Sequence, residues 1–196
     1  MLRNWPLMRG LRRWSLRHRQ YRGGVTVLDA LYETADPWNL ASPHEAARFA
    51  ATNAIITEHV PDCETLLEIG SGEGLQTREL LRVAKQVTGI EGSATALTRA
   101  RDNAPDATFV LGDFGRNIPA IQGQHYDLAT LCEVLYYIND PQAALNRAQS
   151  LADAVLVTIY EPQAAALAAL FEAQGWRTLE AINAGGRCWR VYLWQR

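Results

Sequence analysis

The chain has 196 residues and a formal net charge of −2, with 48% apolar and 20% charged residues. A chain of this length buries roughly two thirds of the surface that it would expose unfolded, and no apolar run approaches the roughly eighteen residues of a spanning helix, so a single domain without membrane insertion is expected. The three cysteines, Cys63, Cys132 and Cys188, are odd in number and far apart, which favours reduced thiols in a cytoplasmic protein over a disulfide framework or a metal site.

The first 24 residues form a basic N-terminal arm, and residues 25–196 are predicted to form one domain. Every arginine of the arm precedes the first acid of the chain, Asp29. Such an arm can contact a phosphate-rich partner, an anionic membrane surface or the acidic face of a neighbouring subunit. A mobile solvated tail or a packed arm is the simpler interpretation.

Two helical segments are predicted before the first strand. A short helical stretch over residues 25–34 leads to a longer helix over residues 43–59. Ser42 and Glu45 have the spacing of a capping box, and Pro43 occupies the first helical position.

From residue 65 onward, short apolar strands alternate with helices of about ten residues. Strands are predicted at 65–69, 86–90, 108–111, 126–134 and 154–160, with helices at about 75–84, 94–103, 141 onward and 163–174. This order is typical of an α/β fold with a mostly parallel sheet covered by helices on both faces. Two further strands around an "NAGG" turn predict an antiparallel C-terminal hairpin.

Three glycines at alternate positions, Gly70, Gly72 and Gly74, follow the first predicted strand. In an open α/β sheet the ligand lies beyond the carboxyl ends of the strands, and glycine lets the backbone approach it closely. The dinucleotide fingerprint needs a further glycine where Leu75 stands, and Glu68 just before the turn would repel a pyrophosphate. The pattern disfavours a nicotinamide-dependent dehydrogenase and favours a cationic or uncharged ligand.

Two more acids close the next strands. Glu91 ends the second strand, where a carboxylate can accept both ribose hydroxyls of a nucleoside. Charge-assisted hydrogen bonds of this kind contribute roughly 1.5 to 3 kcal/mol each. Asp113 follows the third strand, in a position suited to an adenine amino group, with Phe114 beside it as a stacking surface.

The motifs "EIGSGEG", "GIEGS", "LGDF" and "CEVLYYI" resemble the successive cofactor motifs of the S-adenosylmethionine-dependent methyltransferases, which have a seven-stranded Rossmann-like fold. The resemblance covers about residues 36–196. Within this superfamily, "DPWNLASPHEAARFAAT" and "EVLYYI" are similar to the NodS-like small-molecule N-methyltransferases, whose named member methylates an aminosugar oligosaccharide.

The resemblance implies a set of residues around S-adenosylmethionine and no metal. Glu68 would face the methionine end, Cys132 and Glu133 would line the floor beside it, Trp38 would form a lid and Arg48 would hold the carboxylate. The full predicted set is Trp38, Arg48, Glu68, Gly70, Ser71, Gly72, Gly74, Glu91, Gly92, Asp113, Phe114, Cys132 and Glu133.

The catalytic residues are left open. Methyl transfer requires alignment of the acceptor with the methyl group, so a strong base is optional. The candidates around the predicted mouth are His44, Glu133, Tyr136 and Tyr137, with His125 as a further histidine near it. His44 and His125 are equally interpreted as exposed surface residues, and the two tyrosines as a cover for the end of the sheet.

The resemblance implies an acceptor that is an amine or hydroxyl of a small polar molecule, with sugar-linked molecules included. The segment "CEVLYYI" lacks the two prolines that many methyltransferases acting on DNA amines carry there between an acidic or polar residue and an aromatic one, and the acidic body lacks interleaved basic and aromatic residues. The arm is then the one route to nucleic acid, to a protein or to an anionic surface. A non-catalytic regulatory or scaffold protein that binds S-adenosylmethionine is the alternative.

Overall fold

The computed structural model describes residues 29–172 and 175–196, so the predicted basic arm lies outside the described residues. The helices are α1 (Pro43–His59), α2 (Leu75–Leu80), α3 (Ala94–Asn103), α4 (Pro141–Leu151) and α5 (Glu161–Ala164), and α5 continues as a 3-10 helix, Ala165–Phe171. The strands are β1 (Thr65–Ile69), β2 (Gln86–Glu91), β3 (Thr108–Leu111), β4 (Tyr126–Cys132), β5 (Ala152–Tyr160), β6 (Trp176–Ala184) and β7 (Arg187–Gln195). Two single-turn 3-10 helices, Pro119–Ile121 and Leu135–Tyr137, flank β4.

The seven strands form one sheet in the order β3-β2-β1-β4-β5-β7-β6. Strands β1 to β5 pair in parallel, and β7 is antiparallel to both β5 and β6. The predicted fold class, a mostly parallel seven-stranded sheet with an antiparallel C-terminal hairpin strand, is confirmed. The antiparallel strand β7 lies inside the sheet, and β6 forms the edge.

Both faces of the sheet are buried, as the continuous apolar strands predict. Leu66 and Leu67 are adjacent in β1 and both are fully buried, yet they belong to different core clusters because successive strand residues point to opposite faces. Leu67 packs with the cluster that includes α4, whereas Leu66 packs with the cluster that includes α1 and Trp189. Among the described residues, none of the helices combines the length and the apolar character needed to cross a membrane.

The start of α1 corrects one local prediction. Pro43 occupies the first turn as expected, but the side chain of Ser42 makes no capping hydrogen bond, so the capping box is wrong. The Ser42 hydroxyl lies 3.2 Å from Nε2 of His44, and Glu45 turns inward to pair with Arg48 at 2.7 Å. Glu45 therefore forms a buried ion pair instead of capping the helix.

Two helices differ from their predicted bounds, while the predicted caps elsewhere hold. Helix α2 ends at Leu80, and residues 81–83 follow it as turns. Their N–H groups still donate to carbonyls of the preceding residues. Helix α5 begins earlier than predicted because Pro162 can occupy its first turn, and it tightens to a 3-10 helix after one turn. Asp140 caps α4 by accepting the N–H of Ala143 at 2.9 Å, as predicted.

Candidate active site

The glycine turn between β1 and α2 is shaped by positive backbone φ angles. Gly70 has φ 78° and Gly72 has φ 55°. A Cβ atom at Gly70 would lie 2.5 Å from the Val134 side chain, and one at Gly72 would lie 3.1 Å from the Tyr32 hydroxyl. Gly70 therefore requires glycine for conformation and for space, whereas Gly72 favours glycine for its conformation and leaves a Cβ atom only a tight contact.

Gly74 has a different role from the other two glycines. It caps the N-terminus of α2 in the left-handed conformation, and a Cβ atom there would lie 2.9 Å from the Ala100 backbone of α3. Gly74 lines neither of the two cavities described below. It provides close packing between the turn and α3, and nothing in its position points to contact with a ligand.

Two adjoining cavities open at the carboxyl ends of the parallel strands, on either side of the glycine turn. The β2–β3 cavity, of about 230 Å³, lies beyond β2 and β3. The α1–β7 cavity, of about 270 Å³, extends from the glycine turn to α1 and the start of β7. They share four lining residues: Gly70, Glu91, Val134 and Tyr137. The two cavities thus form one crevice in the position that doubly wound sheets use for ligands.

The β2–β3 cavity contains the predicted residues that follow β2 and β3. Gly92, Asp113 and Phe114 all line it. The Asp113 side chain is 41% exposed, accepts the N–H of Gly115 at 2.9 Å and lies 3.4 Å from the Arg116 guanidinium. Phe114 is 5% exposed, and the guanidinium of Arg147 lies 4.6 Å from its ring centroid. One face of the ring predicted to stack on a ligand is thereby occupied by Arg147.

Glu91 stands where the two cavities meet. Its Oε2 accepts the N–H of Gly72 at 3.0 Å and its Oε1 accepts the N–H of Ser93 at 2.8 Å. Burial raises the pKa of Glu91, and the hydrogen bonds from Ser93, Gly72 and Gly92 lower it in part. Because the two carboxylate oxygens together have four lone pairs and three are used, the carboxylate can accept one further hydrogen bond from a ligand.

Glu68 and Arg48 lie at the inner end of the α1–β7 cavity. Oε2 of Glu68 accepts the Thr77 hydroxyl at 2.5 Å. Burial raises the pKa of Glu68 to about 7, with Thr77 and Arg48 opposing the shift. Arg48 is 2% exposed and is held by Glu45 at 2.7 Å and by Oε1 of Gln76 at 3.0 Å.

Glu133 directly follows β4 and has φ 61°, a left-handed conformation that costs a non-glycine residue roughly 1 kcal/mol or more. Its Oε1 accepts the N–H of Tyr160 at 2.7 Å and its Oε2 accepts the Tyr136 hydroxyl at 3.0 Å. Burial raises the pKa of Glu133 to about 7, and Arg48, Tyr136, Tyr160 and the Trp189 side chain oppose the shift. Its neighbour Cys132 also lines the cavity, and burial raises the pKa of that thiol to about 11.

Aromatic side chains cover the α1–β7 cavity. The ring of Trp38 meets those of Tyr32 and Tyr137 edge to face, with centroids 5.1 and 6.4 Å apart. Tyr136 packs against Tyr137 at 4.6 Å, and all four residues line the cavity. The segment around Trp38 therefore lies over the glycine turn, as a lid would.

Glu73, inside the glycine turn, connects the segment that carries Tyr32 and Trp38 to the rest of the domain. Its carboxylate accepts the backbone N–H of Asp36 at 2.7 Å and forms an ion pair with Arg99 of α3. Its backbone carbonyl accepts the Asn103 side chain at 2.8 Å. Glu73 thus joins the segment that carries Trp38, the glycine turn and α3.

The two histidines near the predicted mouth lie outside it. His44 contacts Ser42 and Glu45 and lines neither cavity. His125 precedes β4, at the amino ends of the parallel strands, whereas the glycine turn lies at their carboxyl ends. Its Nε2 lies 2.9 Å from Asp153. The other predicted catalytic candidates, Glu133, Tyr136 and Tyr137, all line the α1–β7 cavity.

Several lining residues were missed by the sequence reasoning. They are Tyr32, Glu45, Gln76, Tyr160, Arg187 and Trp189. Tyr160 ends a parallel strand, so the rule that located Glu91 would also have found it. Arg187 and Trp189 open β7, and because β7 is antiparallel its start lies beside the end of β5, with Trp189 opposite Tyr160. That pairing becomes visible only with the strand order.

Two buried polar atoms beside the glycine turn have no hydrogen-bond partner among the described residues. They are the Ser71 hydroxyl oxygen and Nε2 of Gln76, and both residues line the α1–β7 cavity. An unsatisfied buried polar group costs about 1 to 3 kcal/mol, so such groups usually meet a ligand or water. Within residues 29–172 and 175–196, no group of three or more histidine, cysteine or acidic side chains could hold a metal ion, and the three cysteines are free.

Comparison with known proteins agrees with this architecture. Residues 67–153 match the family model of a methyltransferase domain. A sequence comparison with curated proteins finds no match. The structure of N-methyltransferase NodS from Bradyrhizobium japonicum in complex with S-adenosyl-L-homocysteine is similar at a TM-score of 0.68 and 17% identity, covering 94% of this chain and 98% of that one.

Two further solved structures share the fold. The DhpI complex with S-adenosylhomocysteine has a TM-score of 0.66 and 16% identity, with 91% of this chain and 98% of that chain covered. A putative RNA methyltransferase from Pyrococcus horikoshii has a TM-score of 0.59 and 13% identity, with 76% and 81% covered. At these identities the likeness shows the fold, which methyltransferases with different acceptors share.

The sheet order and the matched domain define a methyltransferase with the Rossmann-like fold. This is the fold of the S-adenosylmethionine-dependent methyltransferases that the motifs predicted.

Proposed function

We propose that this protein transfers the methyl group of S-adenosylmethionine to an amine or hydroxyl of a small polar molecule, sugar-linked molecules included. The observation that carries the proposal is the continuous crevice formed by the two cavities, which meet at Gly70 and Glu91 beside a glycine turn. Its residues fit the cofactor, since Ser71 and Gln76 offer unpartnered polar atoms and the glycine turn leaves the backbone open to it.

The nucleoside part of the cofactor suits the β2–β3 cavity. Glu91 would accept a ribose hydroxyl with the lone pair that Gly72, Gly92 and Ser93 leave free. Asp113 would accept the adenine amino group, and Phe114 would form part of the apolar wall. These assignments are supported by the common lining of one cavity and by the exposure of Asp113.

The methionine part suits the inner end of the α1–β7 cavity. Arg48 is already bonded to Glu45 and to Oε1 of Gln76. The amide Nε2 of Gln76 would then donate to the cofactor carboxylate, with Arg48 supplying positive charge behind it. Glu68 would face the cofactor ammonium group.

The chemistry requires orientation and exclusion of water more than proton transfer. S-adenosylmethionine supplies an electrophilic methyl group on a positively charged sulfur atom, which becomes neutral as the acceptor forms its bond to the methyl carbon. Orientation alone can lower such a barrier by about 7 to 11 kcal/mol. Trp38, Tyr32 and Tyr137 would exclude water from the crevice, and its modest volume, shared with the cofactor, favours a small acceptor.

Two measurements test the proposal. Calorimetric titration is expected to show saturable binding of S-adenosylmethionine and S-adenosylhomocysteine, and none of NAD. Incubation with methyl-labelled cofactor and a cell extract is then expected to label small molecules. Label found only in protein or nucleic acid would contradict the acceptor class, and binding without any transfer would favour the regulatory or scaffold alternative.

A further inference from the structure

The α1–β7 cavity has an unbalanced charge. Its ionisable lining side chains, tyrosines and the cysteine aside, are Glu45, Arg48, Glu68, Glu91, Glu133 and Arg187. Four glutamates against two arginines leave a formal charge of −2. Both arginines pair with a single acid, because Glu45 lies 2.7 Å from Arg48 and 3.5 Å from Arg187. The remaining three glutamates accept hydrogen bonds from uncharged donors.

The proposed cofactor neutralises only part of this charge. S-adenosylmethionine carries one sulfonium, one ammonium and one carboxylate group, so its net charge is +1. When all four glutamates are ionised, one negative charge then remains in a buried crevice, where an uncompensated charge is costly. A second ligand with one positive charge would balance it.

The sheet order indicates which glutamate is left for that ligand. Glu91 lies on β2 and lines both cavities, on the nucleoside side of the crevice, and Glu68 on β1 is already assigned to the cofactor ammonium group. Glu133 follows β4, on the side towards β5 and β7, and lines only the α1–β7 cavity. It therefore lies between the glycine turn and the end formed by Tyr160, Arg187 and Trp189.

The backbone at Glu133 is arranged to present this side chain. Its N–H donates to the Thr158 carbonyl at 3.0 Å, which fixes the left-handed turn against β5. Its two oxygens are held by the N–H of Tyr160, the hydroxyl of Tyr136 and the side chain of Trp189, each of which uses one lone pair. The remaining lone pair leaves room for an ammonium group.

We propose that Glu133 is the acceptor-binding carboxylate and that the acceptor enters the crevice as a cation, a protonated amine. This inference rests on the proposed function, and it moves Glu133 from the cofactor to the acceptor. The ammonium gives one proton to the Glu133 carboxylate, and the freed nitrogen lone pair forms the bond to the methyl carbon while the carbon–sulfur electrons remain on sulfur. The product is a methylated ammonium, and Glu133 returns its proton to water.

Sinefungin tests this assignment without knowledge of the acceptor. In this analogue a carbon bearing an amine replaces the sulfur and its methyl group, so its ammonium points where the acceptor amine would lie. The quantity to measure by calorimetry is the ratio of the dissociation constants of S-adenosylhomocysteine and sinefungin, for the intact protein and for two variants at pH 8.

The intact protein is expected to bind sinefungin at least tenfold more tightly than S-adenosylhomocysteine. Glu133→Gln keeps the size of the side chain and one accepting oxygen, and is expected to abolish that preference while S-adenosylhomocysteine still binds. The matched control is Glu161→Gln, which removes a nearby acid that pairs with Arg190 and does not line the cavity. It is expected to leave the ratio unchanged.

A preference for sinefungin that survives Glu133→Gln would overturn the inference. It would also be overturned if the intact protein showed no preference for sinefungin. If S-adenosylhomocysteine itself does not bind the intact protein, the proposed function fails first.

Should Glu133→Gln not fold, the pH dependence of the ratio in the intact protein decides. The ratio is expected to rise between pH 6 and pH 8 as Glu133 ionises, and a flat ratio would overturn the inference. The groups that face Glu133 are Arg48, Glu68, Cys132, Tyr136, Tyr160 and Trp189.

Discussion

Oε2 of Glu91 lies 3.0 Å from the backbone nitrogen of Gly72 and accepts its hydrogen bond. The acid at the end of β2 thereby holds the glycine turn at the end of β1 in its left-handed conformation. Since the same carboxylate also accepts the N–H of Ser93 at the start of α3, it connects three elements around the crevice. The conformation of the glycine turn and the position of the Glu91 carboxylate therefore depend on each other.

Gly72→Ala is expected to weaken S-adenosylhomocysteine binding tenfold or more. The new Cβ atom would lie 3.1 Å from the Tyr32 hydroxyl, in the path between the turn and the crevice. Calorimetry is the measurement, and Gly123→Ala is the matched control, since Gly123 has φ 76° but a Cβ atom there would meet no other atom within 4 Å. Both variants should lose about 1 to 2 kcal/mol of stability from the positive φ, and equal affinities would place the ligand elsewhere.

Asp113→Ala is expected to raise the dissociation constant of S-adenosylhomocysteine about tenfold, because one charge-assisted hydrogen bond of roughly 1.5 kcal/mol is lost. The free energy of unfolding should change by less than about 0.5 kcal/mol, because the side chain is 41% exposed and its ion pair with Arg116 is at the surface. Asp106→Ala, also exposed, serves as the control. An unchanged dissociation constant would remove Asp113 from the site.

The ligand-free protein is expected to lose stability as the pH rises from 5 to 8. Burial raises the pKa of Glu68 to about 7, so the native state binds a proton that the unfolded chain, with its ordinary pKa of 4.5, releases earlier. The bound proton stabilises the native state at low pH, and this stabilisation is lost as the pH passes 7. The free energy of unfolding is expected to fall by on the order of 3 kcal/mol.

Thermal unfolding at several pH values measures this effect. Glu68→Gln should reduce the slope but not abolish it, because burial also raises the pKa values of Glu133 and Glu91, which contribute the remainder. A slope that is the same in Glu68→Gln and the intact protein would mean that Glu68 remains ionised throughout.

Glu73→Gln is expected to loosen the cover over the crevice. The variant leaves the Arg99 guanidinium without its buried acid and weakens the bond to the N–H of Asp36, at a cost of about 1 to 3 kcal/mol. Amide hydrogen exchange should become faster at residues 32–40. Glu79→Gln is the control, since Glu79 pairs with Arg78 and Arg82 at the surface of α2. Equal exchange in both variants would show that Glu73 does not hold the cover.

The sequence predicted most of the candidate site because its signals are local. Glycines at alternate positions after a strand, and acids at the ends of successive strands, identify the ligand edge of a parallel sheet without any long-range contact. Of the predicted cofactor residues, only Gly74 lies outside both cavities, since its glycine is required by close packing against Ala100. The spacing of a capping box misled at Ser42 because Arg48, one turn further on, is a stronger partner for Glu45.

The sequence alone determined the α/β class, the mostly parallel sheet and the glycine turn with its acids, since these follow from periodicity and from residues close together in the chain. Only the tertiary structure brought Tyr160, Arg187 and Trp189 to the far end of the crevice, because β7 inserts antiparallel beside β5. It also decided the ionisation of Glu68 and Glu133, whose pKa values depend on burial by residues distant in sequence.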